Sequence, residues 1–395
     1  MNKLVEFLLF AQIVFLLSAC QTSNKLQKDY LYSERSGTYL DEKFIGHQDV
    51  VIETPNEIFA LSDEMKVIAK SIAAERSTHE KTAKLLQHFF SAENIKLAYK
   101  SGANVIATEA FQNKEANCLS LTILAYAIAQ EAKLSVAFQR VDIPEFWVRN
   151  GRVNMLTGHI NLSILAQKTP QKVVFWQRNQ MEIDFDPFVL KRSFPKHKIS
   201  KNTVLAMFYN NKGANAMIIG NYVTAYAYIR ASTRIDPLFS PAWGNLGVLY
   251  RLTGSEQTAM ETYRYAIHLN PSNLTSMSNL SMLLHVNGNL EEAKKLDNYI
   301  IRKRANNPYY YALLGDERLY QGAYTKAIAH YKKAIRLDDS IHDFYFGLAK
   351  VYLKLDEVEK AQRYMLKAIA KNRSPQIDKQ YLAKLNILKK VELNQ

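Results

Sequence analysis

Apolar side chains recur at helical spacing through much of the first half of the chain. Met65, Ile68 and Ile72 lie three or four positions apart, and residues 85–90 continue the pattern with two pairs of large apolar side chains. This periodicity predicts two amphipathic helices. The stretch 119–132 contains no glycine or proline and is strongly apolar, so a third and more deeply buried helix is expected there.

Two later segments alternate polar and apolar positions instead. Residues 158–164 and 181–187 both show a period of two, which predicts two strands that each carry one polar face. Strands placed together in one sheet would bring a carboxylate beside an imidazole. The polar faces carry His159, Asn161 and Ser163 in the first segment and Glu182, Asp184 and Asp186 in the second.

The second half of the chain repeats every 34 residues. This period excludes a coiled coil, whose pattern recurs every seven residues. Glycines are needed where the chain reverses, and small residues where two helices cross closely. The pattern therefore predicts five helical hairpins stacked into a short solenoid with a concave face. The recurring residues are Gly220, Gly254, Gly288 and Gly322, with Ala225, Ala259, Ala293, Ala327 and Ala361.

The second of these units resembles a tetratricopeptide repeat, and the fourth repeats much of its pattern. The resemblance implies repeats over residues 205–373 that bind a protein or peptide partner and perform no chemistry themselves. An amphipathic segment over 374–395 is expected to cap the open end. The residues that carry the resemblance are Trp243, Leu246, Gly247, Tyr250, Tyr263, Ala266 and Pro271.

Length and charge limit the number of domains and the classes of function that the chain can have. A chain of 395 residues with 48% hydrophobic and 22% charged residues is ordinary globular material for two or three domains. The net charge of +14 is concentrated in the second half, which favours either acidic protein or polymer partners or simple solubility. No nucleic-acid motif accompanies the charge, and neither a cofactor nor a metal ion is expected. The basic stretch 191–202 is interpreted as the interdomain linker.

The first twenty residues form an apolar segment of signal-peptide length that ends in a cysteine. Residues 17–20 resemble the lipobox of bacterial lipoproteins, which implies cleavage after residue 19, acylation of Cys20 and a tether over 20–45. Gln21 in the next position implies the outer membrane, facing the periplasm. An uncleaved N-terminal anchor is the alternative interpretation.

Lipidation of Cys20 would leave Cys118 without an intramolecular partner, either as a buried apolar side chain or as a working thiol. Asn117 is a good N-cap, so Cys118 is expected in the first turn of the helix. Unpaired N–H groups and the helix dipole favour a thiolate there. A nucleophile also needs a base, and His159 is the one histidine in a clear strand beyond this helix.

Helix-borne Cys118, a strand starting at Val136, His159, and Asp186 before Pro187 follow one another along the chain. This order and spacing resembles the transglutaminase-like superfamily. The resemblance implies a papain-like α+β domain over residues 46–200, with Cys118 as nucleophile, His159 as base and Asp186 as the residue that orients the base. Asp184 is the alternative orienting residue. The Cys118 amide is the expected oxyanion donor, with Gln112 as a weaker candidate.

The predicted architecture is thus an α+β papain-like, transglutaminase-like domain followed by an all-α tetratricopeptide-repeat solenoid. The leading functional hypothesis is an envelope lipoprotein that performs thiol-dependent acyl transfer on an amide, ending in hydrolysis or in transfer to an amine. The alternative is a non-catalytic adaptor that assembles other envelope proteins.

Overall fold

A computed structural model describes residues 39–90, 98–100, 102–150, 153–165, 180–185, 194–372 and 379–386. The signal segment, the candidate lipidation site Cys20 and the first choice for the orienting carboxylate, Asp186, lie outside these ranges. Within them, no helix combines the length and the apolar character needed to cross a membrane.

The first half folds into helices and strands close to the predicted positions. Ser62 caps the second helix, because its hydroxyl accepts a hydrogen bond from the Met65 amide. The helices are α1 (Pro55–Ile58), α2 (Asp63–Ala73), α3 (Thr78–Phe90), α4 (Ala107–Asn113) and α5 (Cys118–Glu131), and the strands are β1 (Ala98–Tyr99), β2 (Glu115–Ala116), β3 (Val136–Asn150), β4 (Val153–Leu165), β5 (Gln180–Ile183) and β6 (Lys196–Ile199).

The four later strands form one antiparallel sheet in the order β5, β4, β3, β6, while β1 and β2 form a separate short parallel pair. The linker assigned to residues 191–202 is therefore corrected. Its central residues form the edge strand β6, in which Ile199 pairs with Phe138 of β3. His197 and Lys198, two of the basic residues that suggested a solvated linker, are exposed on this edge, where charge discourages pairing with another chain. This half is an α+β region with a small sheet.

The second half is helical throughout its described part, as the 34-residue period predicted. Four of its turns contain a glycine with a positive φ, between 72° and 79°, where a side chain would be strained. The helices are α6 (Lys201–Ile218), α7 (Tyr222–Ile235), α8 (Ser240–Leu252), α9 (Glu256–Leu269), α10 (Leu274–Val286), α11 (Leu290–Arg304), α12 (Pro308–Tyr320), α13 (Tyr324–Leu337), α14 (His342–Lys354) and α15 (Val358–Lys371).

The chain divides into two compact units, and the first combines residues up to 53 with 205–283. Phe44 is buried in this unit and stacks on Tyr226 at 4.3 Å between ring centroids. Asp41 accepts hydrogen bonds from Tyr226 and Arg230, and Glu53 forms an ion pair with Lys212. Residues 39–53 therefore belong with the first repeats, whereas the sequence analysis divided them between the tether and the α+β domain at residue 45.

The second unit combines residues 54–204 with 284 onward. Its repeat core is built around Tyr331, whose ring packs against the backbone positions of Gly315 and Gly347. The Tyr331 hydroxyl donates a hydrogen bond to Asp316 Oδ1 at 2.7 Å. Residues 379–386 are helical, and two of their side chains, Tyr381 and Leu385, join the same buried cluster.

Candidate functional site

Cys118 is the first residue of α5, at the end where the backbone N–H groups have no helical partner. The predicted cap is confirmed, because Asn117 Oδ1 accepts a hydrogen bond from the Ser120 amide at 2.9 Å. The thiol is not in a disulfide and is half-buried. Its position in the first turn places it at the positive end of the helix dipole, which favours a negatively charged sulfur.

A buried network holds this helix end in place. Asn117 Nδ2 donates to Asn104 Oδ1 at 3.3 Å, and the Val105 amide donates to the Ser120 hydroxyl at 2.9 Å. The Asn117 amide donates in addition to the carbonyl of Ala103. The loop over residues 103–105 thus fixes where α5 begins, and with it the position of Cys118.

His159 lies on β4 and is almost fully buried, with 4% of its surface exposed. Its Nε2 is 2.8 Å from Asp184 Oδ1 and 2.9 Å from Oδ2. An ionised carboxylate can only accept hydrogen bonds. Nε2 therefore carries a proton and donates a hydrogen bond to Asp184. The other ring nitrogen, Nδ1, is then the one available to exchange a proton with the Cys118 thiol.

Burial by itself lowers the pKa of His159, because a charged ring is poorly solvated inside the protein. Hydrogen bonds to Asp184 and Cys118, together with the negative charges of both groups, outweigh that effect and raise the pKa to about 10. The ring is therefore positively charged at neutral pH. This arrangement brings a cysteine, a histidine and a carboxylate into one hydrogen-bonded group, in a form that suits an imidazolium beside a thiolate.

Asp184 follows the last residue of β5 directly, and β5 pairs with β4 so that Ile183 lies opposite Leu162. The sequence analysis ranked Asp184 second for the orienting role, yet this carboxylate holds His159. Gln112 is exposed on α4, and within the described part of the chain no hydrogen bond joins it to Cys118. A donor to an oxyanion need not contact the thiol, so the role of Gln112 stays a prediction.

Asn161 is a site residue to which the sequence analysis gave no role. It is 1% exposed, and its Nδ2 donates to Asp184 Oδ2 at 3.2 Å. This hydrogen bond restricts rotation of the carboxylate that holds His159. The signal was present in the sequence, because Asn161 follows His159 by two positions on the polar face of the same strand.

No cluster of three or more histidine, cysteine or acidic side chains suited to a metal ion occurs in the described ranges. The site consists of the Cys118 thiol, the His159 imidazole and the Asp184 carboxylate. The Asn161 amide donates a hydrogen bond to that carboxylate.

The repeat array offers a second candidate surface within the second unit. A cleft of about 730 Å³ lies where α12 and α14 end and α13 begins. Tyr320 is 69% exposed at its edge, and Lys350 forms an ion pair there with Asp316 at 2.9 Å. Apolar, aromatic and basic side chains thus meet in this cleft. The side chains that line the cleft include Tyr320, Tyr324, Leu353, Lys350 and Lys354.

Comparison with known proteins supports the assignment of the array. A family model described as TPR repeat matches residues 315–356, and one described as tetratricopeptide repeat matches 240–273 and 342–373. These matches confirm the predicted tetratricopeptide repeats, and none of them extends into residues 46–200. A search of curated proteins found no match.

Several solved structures are similar to part of the chain. One is described as pilF of Pseudomonas aeruginosa, with 18% identity, 50% of this chain and 96% of the other covered, and a TM-score of 0.30. Another is a thermophilic TPR protein of Thermus thermophilus, with 18% identity, 46% and 98% covered, and a TM-score of 0.32. A third is MamA of Desulfovibrio magneticus RS-1, with 18% identity, 43% and 96% covered, and a TM-score of 0.27.

Proposed function

We propose that this chain is an adaptor whose repeat array binds a protein or peptide partner. The observation that carries the proposal is the match of three array segments to tetratricopeptide repeats, which generally bind proteins. Stacked helical hairpins leave extended surfaces that a partner can occupy.

The cleft in the second unit gives this proposal a specific location. Leu353 and Tyr320 are both exposed there, at 45% and 69%, and large exposed apolar side chains that lie together are typical of binding surfaces. Lys354 makes no ion pair with any described residue. The cleft therefore suits a partner segment that presents an apolar or aromatic side chain next to a carboxylate.

A photo-crosslinking amino acid in place of Tyr320 tests this location in the full-length protein. We expect a reproducible crosslink to one partner, since an aromatic probe at this edge replaces a side chain of similar size. The variant Lys354→Glu, combined with the probe, should weaken that crosslink because it reverses the charge facing an acidic segment. Crosslinked species are measured by gel shift and mass spectrometry.

The matched control places the same probe at Leu366 of α15, which is also about half exposed but lies outside the cleft. A partner that crosslinks equally at both positions, or that is insensitive to Lys354→Glu, would contradict binding in the cleft. Absence of any partner at both positions would contradict the proposed use of this surface.

We also propose a second function, thiol-dependent acyl transfer on an amide, because one observation specifically favours it. His159 and Asp184 form a buried, charged pair beside a cysteine at a helix N-terminus. This arrangement is the one implied by the resemblance to transglutaminase-like, papain-like domains, with Asp184 in place of Asp186.

The chemistry would proceed in two balanced steps. Cys118 Sγ attacks the amide carbonyl carbon, the C–N bond breaks, and the amine leaves with a proton from His159, which leaves a thioester. Water or a second amine then attacks the thioester carbonyl carbon and gives up a proton to His159, and the C–S bond to Cys118 breaks. The products are a carboxylic acid or a new amide, and the thiol is restored.

Hydroxylamine tests this reaction without knowledge of the natural acceptor. Purified full-length protein, incubated with glutamine-containing peptides and hydroxylamine, should form peptidyl hydroxamates as the thioester is trapped. Cys118→Ala should remove this activity, because it removes the thiol beside His159 that forms the thioester. Equal hydroxamate formation by the wild type and Cys118→Ala, or none by the wild type, would favour the adaptor function alone.

A further inference from the structure

The hairpin of β3 and β4 contains a large bulge directly beside His159. Val141 of β3 pairs with His159, and the next pair along the ladder is Phe146 with Thr157. Residues 142–145 of β3 therefore face only Gly158 on the other strand. Pro144 within the bulge has no N–H to donate, which is consistent with an interruption of the ladder. Asp142 is held within the α+β region, because its amide donates to the Pro195 carbonyl and its carboxylate lies 2.8 Å from His197 Nε2. The other end of the bulge, at Glu145, is held by a different part of the protein.

The repeat array holds the bulge through Glu145. Arg304, the last residue of α11, donates two hydrogen bonds to the Glu145 carboxylate, at 2.7 Å from Nε and 3.0 Å from the second nitrogen. Arg304 is 5% exposed and the Glu145 side chain 24%, so this is a partly buried, bidentate ion pair. Asn307 caps α12 and in addition donates to the Glu145 carbonyl at 2.8 Å.

Aromatic rings enclose the same arginine. The Arg304 guanidinium lies 5.0 Å from the Trp147 ring centroid and 5.5 Å from that of Tyr310. Phe146 packs beside Tyr309 with 5.7 Å between ring centroids. A planar guanidinium can stack on aromatic rings and form a bidentate ion pair with a carboxylate at the same time. A lysine cannot reproduce this combination. The contact is thus specific in geometry as well as in charge.

We propose that Arg304 and Asn307 of the repeat array are positioning residues for the Cys118 and His159 site, because they hold the β3 bulge that adjoins His159. The inference rests on the thiol site proposed above. Arg304 fixes Glu145, Glu145 fixes the end of the interrupted ladder, and the ladder sets where β4 presents the His159 ring. The array then has a role in the chemistry of the α+β region in addition to binding a partner.

The variant Arg304→Gln in the full-length protein tests the inference. Amide hydrogen exchange in the peptide over residues 156–165 should become at least about tenfold faster, because the half-buried Glu145 carboxylate loses the bidentate partner that holds it. Alkylation of Cys118 by iodoacetamide at pH 7 should slow by about threefold or more, as fewer molecules hold the ring in place. Its pH profile should shift toward that of an ordinary thiol, an effect that a merely structural contact would not produce.

Two further variants keep the test decisive. Glu145→Gln removes the same ion pair from the other side and should reproduce both effects in a milder form, which covers the case in which Arg304→Gln fails to fold. Glu291→Gln removes an exposed ion pair with Lys295 on α11 and should change neither measurement.

The outcomes separate this inference from the proposed reaction. Unchanged exchange over 156–165 in a folded Arg304→Gln or Glu145→Gln protein overturns the positioning role, whatever the wild-type thiol does. Faster exchange together with slower alkylation supports it. Faster exchange with an unaltered alkylation profile also overturns it, since the array would then stabilise the hairpin without positioning His159. Hydroxamate formation tests the proposed reaction and does not test the positioning role of Arg304.

Discussion

Replacement of His159 by alanine is expected to slow alkylation of Cys118 at pH 7 by up to about thirtyfold, the factor that separates a fully ionised thiol from an ordinary one, which is about 3% ionised at this pH. In the wild type, Asp184 and Cys118 raise the pKa of His159 to about 10, so the ring is positively charged at neutral pH and favours the thiolate beside it. His159→Ala removes that charge. The rate of iodoacetamide modification, followed by mass spectrometry, measures the effect.

The pH dependence gives an independent check with a definite sign. The wild-type ring keeps its proton until the pH approaches about 10, so the alkylation rate should change little between pH 7 and pH 9. In His159→Ala the rate should instead rise with pH over this range, because no neighbouring positive charge then favours the thiolate. If the alkylation rates of the wild type and His159→Ala rose in parallel with pH, His159 would not be the group that favours the thiolate.

Carboxylate variants identify the residue that orients the ring. Asp184→Asn should slow alkylation less than His159→Ala, because it removes the negative charge from the Nε2 side and leaves the ring present. Asp186→Asn is the comparison, since the sequence pattern first favoured that residue. Glu182→Gln, an exposed carboxylate on the same strand, should leave the rate unchanged. A larger effect of Asp186→Asn than of Asp184→Asn would contradict the observed pairing.

Gly347→Val is expected to destabilise the repeats of the second unit by about 3 kcal/mol, at the upper end of what overpacking a core costs. A Cβ at Gly347 would lie 2.5 Å from Cζ and 2.8 Å from Cδ1 of Tyr331. Tyr331 is 1% exposed and is held by its hydrogen bond to Asp316, so its ring cannot move aside without losing contacts. The urea midpoint of helix unfolding, followed by circular dichroism, measures the loss.

Ala329→Val is the matched control, because it introduces the same β-branched side chain at an exposed position of α13. Its cost should be limited to helix propensity, about 0.6 kcal/mol. Tyr331→Leu combined with Gly347→Val should cost less than the sum of the two single changes, since the smaller side chain relieves the overlap. An unaltered midpoint in Gly347→Val, or strict additivity in the double variant, would show that the ring and the glycine are not in tight contact.

Several features of the site were predictable from the sequence because they depend on local backbone geometry. Asn117 as N-cap placed Cys118 in the first helical turn, and the structure has it there. Alternation over 158–164 placed His159 in a strand, and it lies in β4. Both patterns arise within a few residues, through the fixed periods of helix and strand, so they need no knowledge of distant partners.

The choice between the two carboxylates illustrates what local patterns leave open. Asp184 and Asp186 are two positions apart, so a period of two places both on one face of a strand. Which of them meets His159 depends on the register between β4 and β5, and register is set by tertiary packing. The sequence placed Asn161 on the same polar face as His159, but its role depends on the same register, because it follows from the position of Asp184.

The sequence by itself determined the repeat array, the start of the cysteine helix and the polar strand that carries His159, since each is a repeated or periodic local signal. Only the tertiary structure decided that Asp184 holds the ring, that residues 196–199 are an edge strand, and that Glu145 meets Arg304. His159 and Asp184 are 25 positions apart in the chain, and Glu145 and Arg304 are 159 apart. Strand β6 joins the sheet by pairing with β3. All three contacts therefore depend on register and packing between elements. No local period of the chain encodes such long-range pairing.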